Sequence, residues 1–321
     1  MSNKKKFQLF IVNNISWVLI VVFYIFFATL KPEGMLKLST ISFMIYSAVP
    51  MGFIVIGVAL NLLIGCMDLS LAQMTGFAAM LSALIITKWI PGIPPILQVF
   101  IPIVIGILGG ALNGYMVAYM KLNPFLVTLG AFMAYEGGTL LLQPYPIYEG
   151  FSDYYLVFGG NGVVSTIVFI VIILIMSLIL KYSSLGLHIY GVGGNYMSAK
   201  MVGVNPKRVQ FIVFSIAGAF AGLSGLFYTG YLDSVPPSMA DGNIFLAFAG
   251  AIIGGVEQEG GRGSMINVLA GIIFLALIEA GLSMFNVNPY LRRVVYGILV
   301  IVAILINKFR NQVRDMILQT E

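Results

Sequence analysis

The chain has 321 residues, of which 60% are apolar and only 9% charged, with a formal net charge of +5 and a mean hydropathy of +1.00. Soluble domains carry about 25% charged residues, so the composition excludes an ordinary water-soluble fold. The basic residues are scattered singly, Lys4-Lys5-Lys6 being the longest run, which argues against nucleic-acid binding. Cys66 is the only cysteine and His188 the only histidine, so no intrachain disulfide or Cys/His metal cluster can be built from these residues.

In chain order, apolar segments fall near 11–30, 41–63, 69–86, 96–119, 125–143, 163–180, 209–230, 244–256, 264–285 and 290–306. A helix crossing the hydrocarbon layer takes about 20 apolar residues, so the chain reads as an all-α, polytopic integral membrane protein of about ten transmembrane helices. Lys4-Lys5-Lys6 before an apolar run also describes a signal peptide. The run from Ile11 to Leu30 is long for a signal core and lacks a convincing small-residue cleavage site, so it is read as a retained first span.

Only Ile64-Gly65-Cys66-Met67-Asp68 separates the second and third segments, and the eighth is short and interrupted by Gly250, Gly254 and Gly255. Broken helices are therefore expected near 64–70 and 250–263, where protein or a water-filled cavity must cover the irregular backbone. Ile64-Gly65-x-x-Asp68 is weakly echoed by Ile253-Gly254-x-x-Glu257. Gly106, Gly110 and Gly114, and again Gly218 and Gly222, recur at four-residue spacing. That spacing lets helix backbones approach closely, within the chain or, alternatively, at a dimer seam.

With the N-terminus in the cytoplasm, Lys4, Lys5, Lys6, Lys121, Lys181, Lys200, Lys207, Arg208, Arg262, Lys308, Arg310 and Arg314 share the inner side. Lys31, Lys37, Lys88, Arg292 and Arg293 remain outside. Positive charge favours the cytoplasmic face, so both termini are expected there, with Arg292-Arg293 as the exception. The expected organisation is a tail at 1–10, one transmembrane domain at 11–306 with a cytoplasmic loop at 181–207, and a tail at 307–321.

The chain contains no Gly-Lys dipeptide and therefore no P-loop, so nucleotide-driven work requires another chain to bind the nucleotide. No cofactor or metal is expected, and no catalytic constellation. Charge within the membrane is costly and usually functional or paired; the candidates are Asp68, Glu136, Glu257 and Glu279. Asp68, before Leu69-Ser70, reads as a cap for the third helix, with a substrate or gating role as the alternative. Glu257-Gln258-Glu259-Gly260-Gly261-Arg262-Gly263 reads as a structural turn in which Arg262 neutralises a carboxylate. In the loop at 181–207, Gly193-Gly194-Asn195 supplies a turn and an N-cap. Tyr196–Val202 then forms about two helical turns, stopped by Gly203 and Pro206. A short capped helix of this kind suits docking on another protein or, alternatively, anchoring at the membrane surface.

These segments resemble the permeases of ATP-binding-cassette importers for ribose and related simple sugars. The resemblance rests on Leu185-Gly186 through Gly193-Gly194-Asn195 with Ala199 and Gly203-Val204, and on Gly65 with Asp68-Leu69-Ser70. Asn113-Gly114, Asn123-Pro124-Phe125 with Thr128-Leu129-Gly130, and Gly254-Gly255 with Gly260-Gly261-Arg262-Gly263 follow in the same order. It covers about 60–270. It implies a coupling helix seated on a cytoplasmic ATPase, carried by Asn195, Tyr196, Ser198, Ala199, Lys200 and Gly203. Its further implications are a homodimer or paired permease, an extracytoplasmic sugar-binding protein and a bacterial inner membrane. Cys66-Met67 and Ala72-Gln73 depart from the family pattern and leave the sugar open. A sugar path needs hydroxyl, amide and aromatic groups rather than fixed charge; Asp68, Ser70, Gln73, Asn113 and Tyr135 are the candidates for the path or its gating. The rival readings are an importer permease for a branched-chain amino acid or nucleoside, an ion-coupled secondary transporter, and an integral membrane enzyme.

Overall fold

The structure, a computed structural model, describes residues 14–319. Lys4, Lys5 and Lys6 and the tail at 1–10 lie outside the described residues.

The described chain is helical almost throughout. In order it forms α1 (Ile15–Leu30), α2 (Pro32–Met35), α3 (Leu38–Ser47), α4 (Val49–Leu63), α5 (Leu71–Leu84), α6 (Pro95–Gln98), α7 (Phe100–Ala118) and α8 (Pro124–Leu142). There follow α9 (Asp153–Gly160), α10 (Gly162–Tyr182), α11 (Ser184–Gly194), α12 (Tyr196–Met201), α13 (Pro206–Leu232), α14 (Asn243–Ile253), α15 (Met265–Met284) and α16 (Pro289–Gln319). A π-helical turn at Ile85–Trp89 extends α5.

Every apolar segment read from the sequence carries a helix, but ten full-length crossings are not what the lengths support. Among the described residues seven helices are long and apolar enough to cross a membrane, or eight if α3 and α4, bent by 46°, count as one span. Pro50 in the first turn of α4 explains the bend, because proline cannot donate the backbone hydrogen bond that would continue α3. The described part of α1 has 16 residues and α14 only 11, short of the ~20 that a crossing needs.

The breaks fall at 64–70 and 254–264, although α14 continues through Gly250, which packs against Leu275 and Val55 rather than breaking the helix. The two breaks meet. The Gly261 N–H donates to the Leu63 carbonyl at 2.9 Å, and Gly260 and Gly65 have positive φ and touch backbone to backbone. Gly193 at the end of α11 joins them, so close to the Leu63 carbonyl and the Gly261 nitrogen that a Cβ would overlap both. Three distant stretches thus form one glycine-lined seam.

The core is α13, with α4, α5 and α7 packed around it. Gly106 and Gly110 of α7 face Gly218 of α13. A Cβ at Gly218 would stand 2.9 Å from the Gly110 Cα and would overlap the Gly106 carbonyl. Gly222 meets the Pro102 carbonyl in the same way. The glycine spacing therefore serves packing within the chain, where van der Waals contact replaces the absent hydrophobic drive between lipid-embedded helices.

Candidate functional site

Two regions carry the residues singled out in the sequence. The first is the loop between α10 and α13. Ser183 caps α11 by accepting from Gly186 N–H at 3.2 Å, and Asn195 caps α12 by accepting from Ser198 N–H at 2.9 Å. The sequence reading missed α11, because Gly186, Gly191, Gly193 and Gly194 look like loop residues. The Ser183 cap was the available signal. Val202 follows α12 and Gly203 reverses the chain with a φ of +88°. Asn205 then caps α13 through Arg208 N–H at 3.2 Å.

Asn195, Tyr196, Ser198, Lys200 and Gly203 are exposed, whereas Ala199 is buried at 5% exposure. Ala199 therefore seats α12 on its own chain instead of presenting a docking surface. Beside Ser198 and Lys200 the outward surface carries large apolar side chains: Met197 is 66% exposed and Met201 and Val202 80% each. The loop is rigidly tied, since the Tyr190 hydroxyl donates to the Gly263 carbonyl at 2.9 Å and Gly193 enters the seam. Helix α16 clamps the same turn from the other side. Arg310 donates to the Gly255 carbonyl at 3.1 Å, and Arg314 pairs with Glu257 at 3.0 Å, closer than the expected partner Arg262 at 3.5 Å.

The second region is a buried polar cluster that begins at Asp68, three residues after Gly65 of the seam. Asp68 accepts from the Ser70 N–H at 2.9 Å, from the Ser70 hydroxyl at 2.6 Å and from the Asn61 amide at 3.0 Å. It thus holds the turn entering α5 from three residues before the helix, while the N-cap position expected of it falls to Ser70, whose side chain makes no capping bond. Because the Ser70 hydroxyl donates to Asp68, it accepts from the Asn113 amide of α7 at 2.9 Å. Thr128 of α8 accepts from Leu69 N–H at 3.2 Å. Asn61, Asp68, Ser70, Asn113 and Thr128 are all 1% exposed or less.

The path candidates thus divide. Asp68 and Ser70 are enclosed supports, and Gln73 is bound to Asp241 at 3.1 Å. Asn113 and Tyr135 come together on a cavity of about 520 Å³ between α7 and α8, lined also by Asn123 and Gly130. The Asn113 Oδ1 has no hydrogen-bond partner among the described residues, nor does the Asn61 Oδ1. No described group of His, Cys, Asp and Glu could hold a metal ion.

The described residues thus form a helical domain with seven membrane-length helices and a loop tied to both breaks, an arrangement suited to a membrane permease. Residues 40–304 match the family described as branched-chain amino acid transport system / permease component, and the chain belongs to that family. Over 88% of its length it is 31% identical to the D-allose transport system permease protein of Escherichia coli, covering 87% of that protein. It is 29% identical to the galactose/methyl galactoside import permease protein of Haemophilus influenzae, with 97% and 98% covered. The ribose import permease protein of Bacillus subtilis is 27% identical, with 81% and 82% covered. No solved structure matches the chain.

Proposed function

We propose that this chain is the membrane-spanning subunit of an ATP-driven importer for a small sugar, with ATP hydrolysed on separate cytoplasmic subunits. It resides in the bacterial inner membrane with both termini in the cytoplasm. The chain pairs with a second permease, and an extracytoplasmic binding protein delivers the sugar. It passes the membrane ten times in this reading, the eighth pass being completed by α14 after a non-helical stretch at 233–242. The observation that carries the reading is α12. It is a capped, apolar-faced helix fastened through Tyr190 and Gly193 to both broken-helix turns. Force applied there by an ATPase is transmitted to α4, α5, α14 and α15 together. A population shift between outward- and inward-open states requires such differential binding. Relatives named for allose, galactose and ribose support sugar as the solute. Asn113 and Tyr135 are the proposed path contacts, with Asp68, Ser70 and Gln73 behind them.

Native mass spectrometry of the tagged complex, gently extracted from its own membrane, tests this directly. A pair of copies of this chain with a pair of ATPase subunits is the expected assembly. Repeated recovery without an ATPase, also after crosslinking, would remove the coupling role of α12. Uptake of L-leucine in place of sugars would leave the class standing and replace the substrate.

A further inference from the structure

The half-length helix α14 ends at the seam, and its 11 residues at 1.5 Å each reach about 16 Å, roughly half of a ~30 Å hydrocarbon layer. With the seam at one face of the hydrocarbon layer, as in the ten-pass reading, its N-terminus lies near the midplane. The preceding segment descends beside α5, where Asp241 accepts from Gln73 at 3.1 Å. At that depth Asn243 donates to the Tyr228 hydroxyl at 2.9 Å. The pair lines a cavity of about 290 Å³ between α13, α14, α15 and α16, roofed by the α3–α4 bend at Ser47. Tyr231, Tyr296 and Glu279 complete its polar wall. A second, wider cavity of about 510 Å³ meets it at Asn243, Leu246 and Tyr296 and carries Asp241 and Arg293.

We infer that this cavity, inside each subunit, is a binding site for the transported monosaccharide before it reaches Asn113. The inference rests on the sugar-import reading. Its chemistry is that of a neutral polyol site. Three tyrosine rings offer faces for sugar C–H groups, and their hydroxyls both donate and accept. The Tyr228 hydroxyl, already accepting from Asn243, keeps its own proton to donate. Glu279, the one carboxylate on the cavity, is neutralised by Arg292 at 3.0 Å, so the wall offers no net charge to a cation or anion. Secondary transporters place their substrates at the ends of discontinuous helices, and α14 offers an ATP-driven importer the same arrangement. The site also gives a place to Arg292 and Arg293, the basic pair that ran against the charge distribution of the remaining loops: one neutralises the pocket's carboxylate and the other stands at its entrance.

The test uses the complete transporter in proteoliposomes with its ATPase and a loaded binding protein, and radiolabelled D-allose, D-ribose and D-galactose as probes. Tyr228→Phe removes one hydroxyl and Asn243→Leu one amide, at nearly constant volume. Losing one buried hydrogen bond to sugar is expected to lower sugar moved per ATP by about tenfold, while binding-protein-stimulated ATP hydrolysis stays within about twofold. Unchanged sugar per ATP in both variants, with the parent chain transporting, overturns the site alone. A parent chain that moves none of the three sugars takes the sugar reading down with it. Should Asn243→Leu fold poorly, labelling of an Asn243→Cys, Cys66→Ser chain by a maleimide decides: the transported sugar slows it if the site is real, and leaves it unchanged if not.

Discussion

Asp68 is buried without a described cation beside it, and its three hydrogen bonds compensate the lost hydration. Asp68→Ala would strand the Asn61 amide and the Ser70 N–H. Each unsatisfied buried group costs about 1–3 kcal/mol, so a clear fall in the melting temperature in detergent is expected. Asp68→Asn should lose much less. Its new amide can donate to the Asn61 Oδ1, which is unpartnered at present, once Asn61 turns over. If both variants melted alike, the network would not be what holds the turn into α5.

Helix pairs set the next level of stability. α7 and α13 approach backbone to backbone at Gly110 and Gly218, leaving no space for a side chain. Gly218→Val is expected to separate them and abolish the monodisperse permease peak in size-exclusion chromatography, because overpacking of this kind forces the backbones apart. α12 separates folding from docking. Asn195→Ala removes a cap worth about 1 kcal/mol and should lower permease stability slightly. Met197→Asp with Met201→Asp places charge on an exposed apolar face. That pair should release the ATPase in a pull-down and leave the melting temperature of the permease unchanged. Loss of stability without loss of the ATPase would make α12 an anchor instead.

Over the whole molecule, the surface of α8 is the clearest statement about assembly. Glu136 lies exposed well inside this span, and a carboxylate facing lipid at depth costs about 2.5–3.5 kcal/mol on insertion scales. The α8 face is therefore expected to meet water or a second copy. Glu136→Cys in a Cys66→Ser background should react with a charged, water-soluble methanethiosulfonate in assembled transporter. Leu174→Cys, at an exposed apolar position of α10 with no charge nearby in the span, should not. Equal protection of both would place α8 against lipid.

The sequence alone determined the class of molecule, because 60% apolar composition in runs of about 20 residues admits one solvent for the helices. It also placed the α12 cap, the Asp68 turn and the packing glycines, since capping and small-residue spacing are local rules. Three things required the tertiary structure. α11 was hidden by its glycines, two of which serve close packing: Gly193 against Leu63 and Gly261, and Gly186 against the Leu180 carbonyl. Ala199 proved buried, because which face of a two-turn helix points inward depends on the chain beneath it. The Tyr228–Asn243 pocket joins residues that no helical or strand period relates. Convergence of polar groups across separate helices is set by where the 11-residue α14 begins against α13 and α15, and only the packed fold decides that.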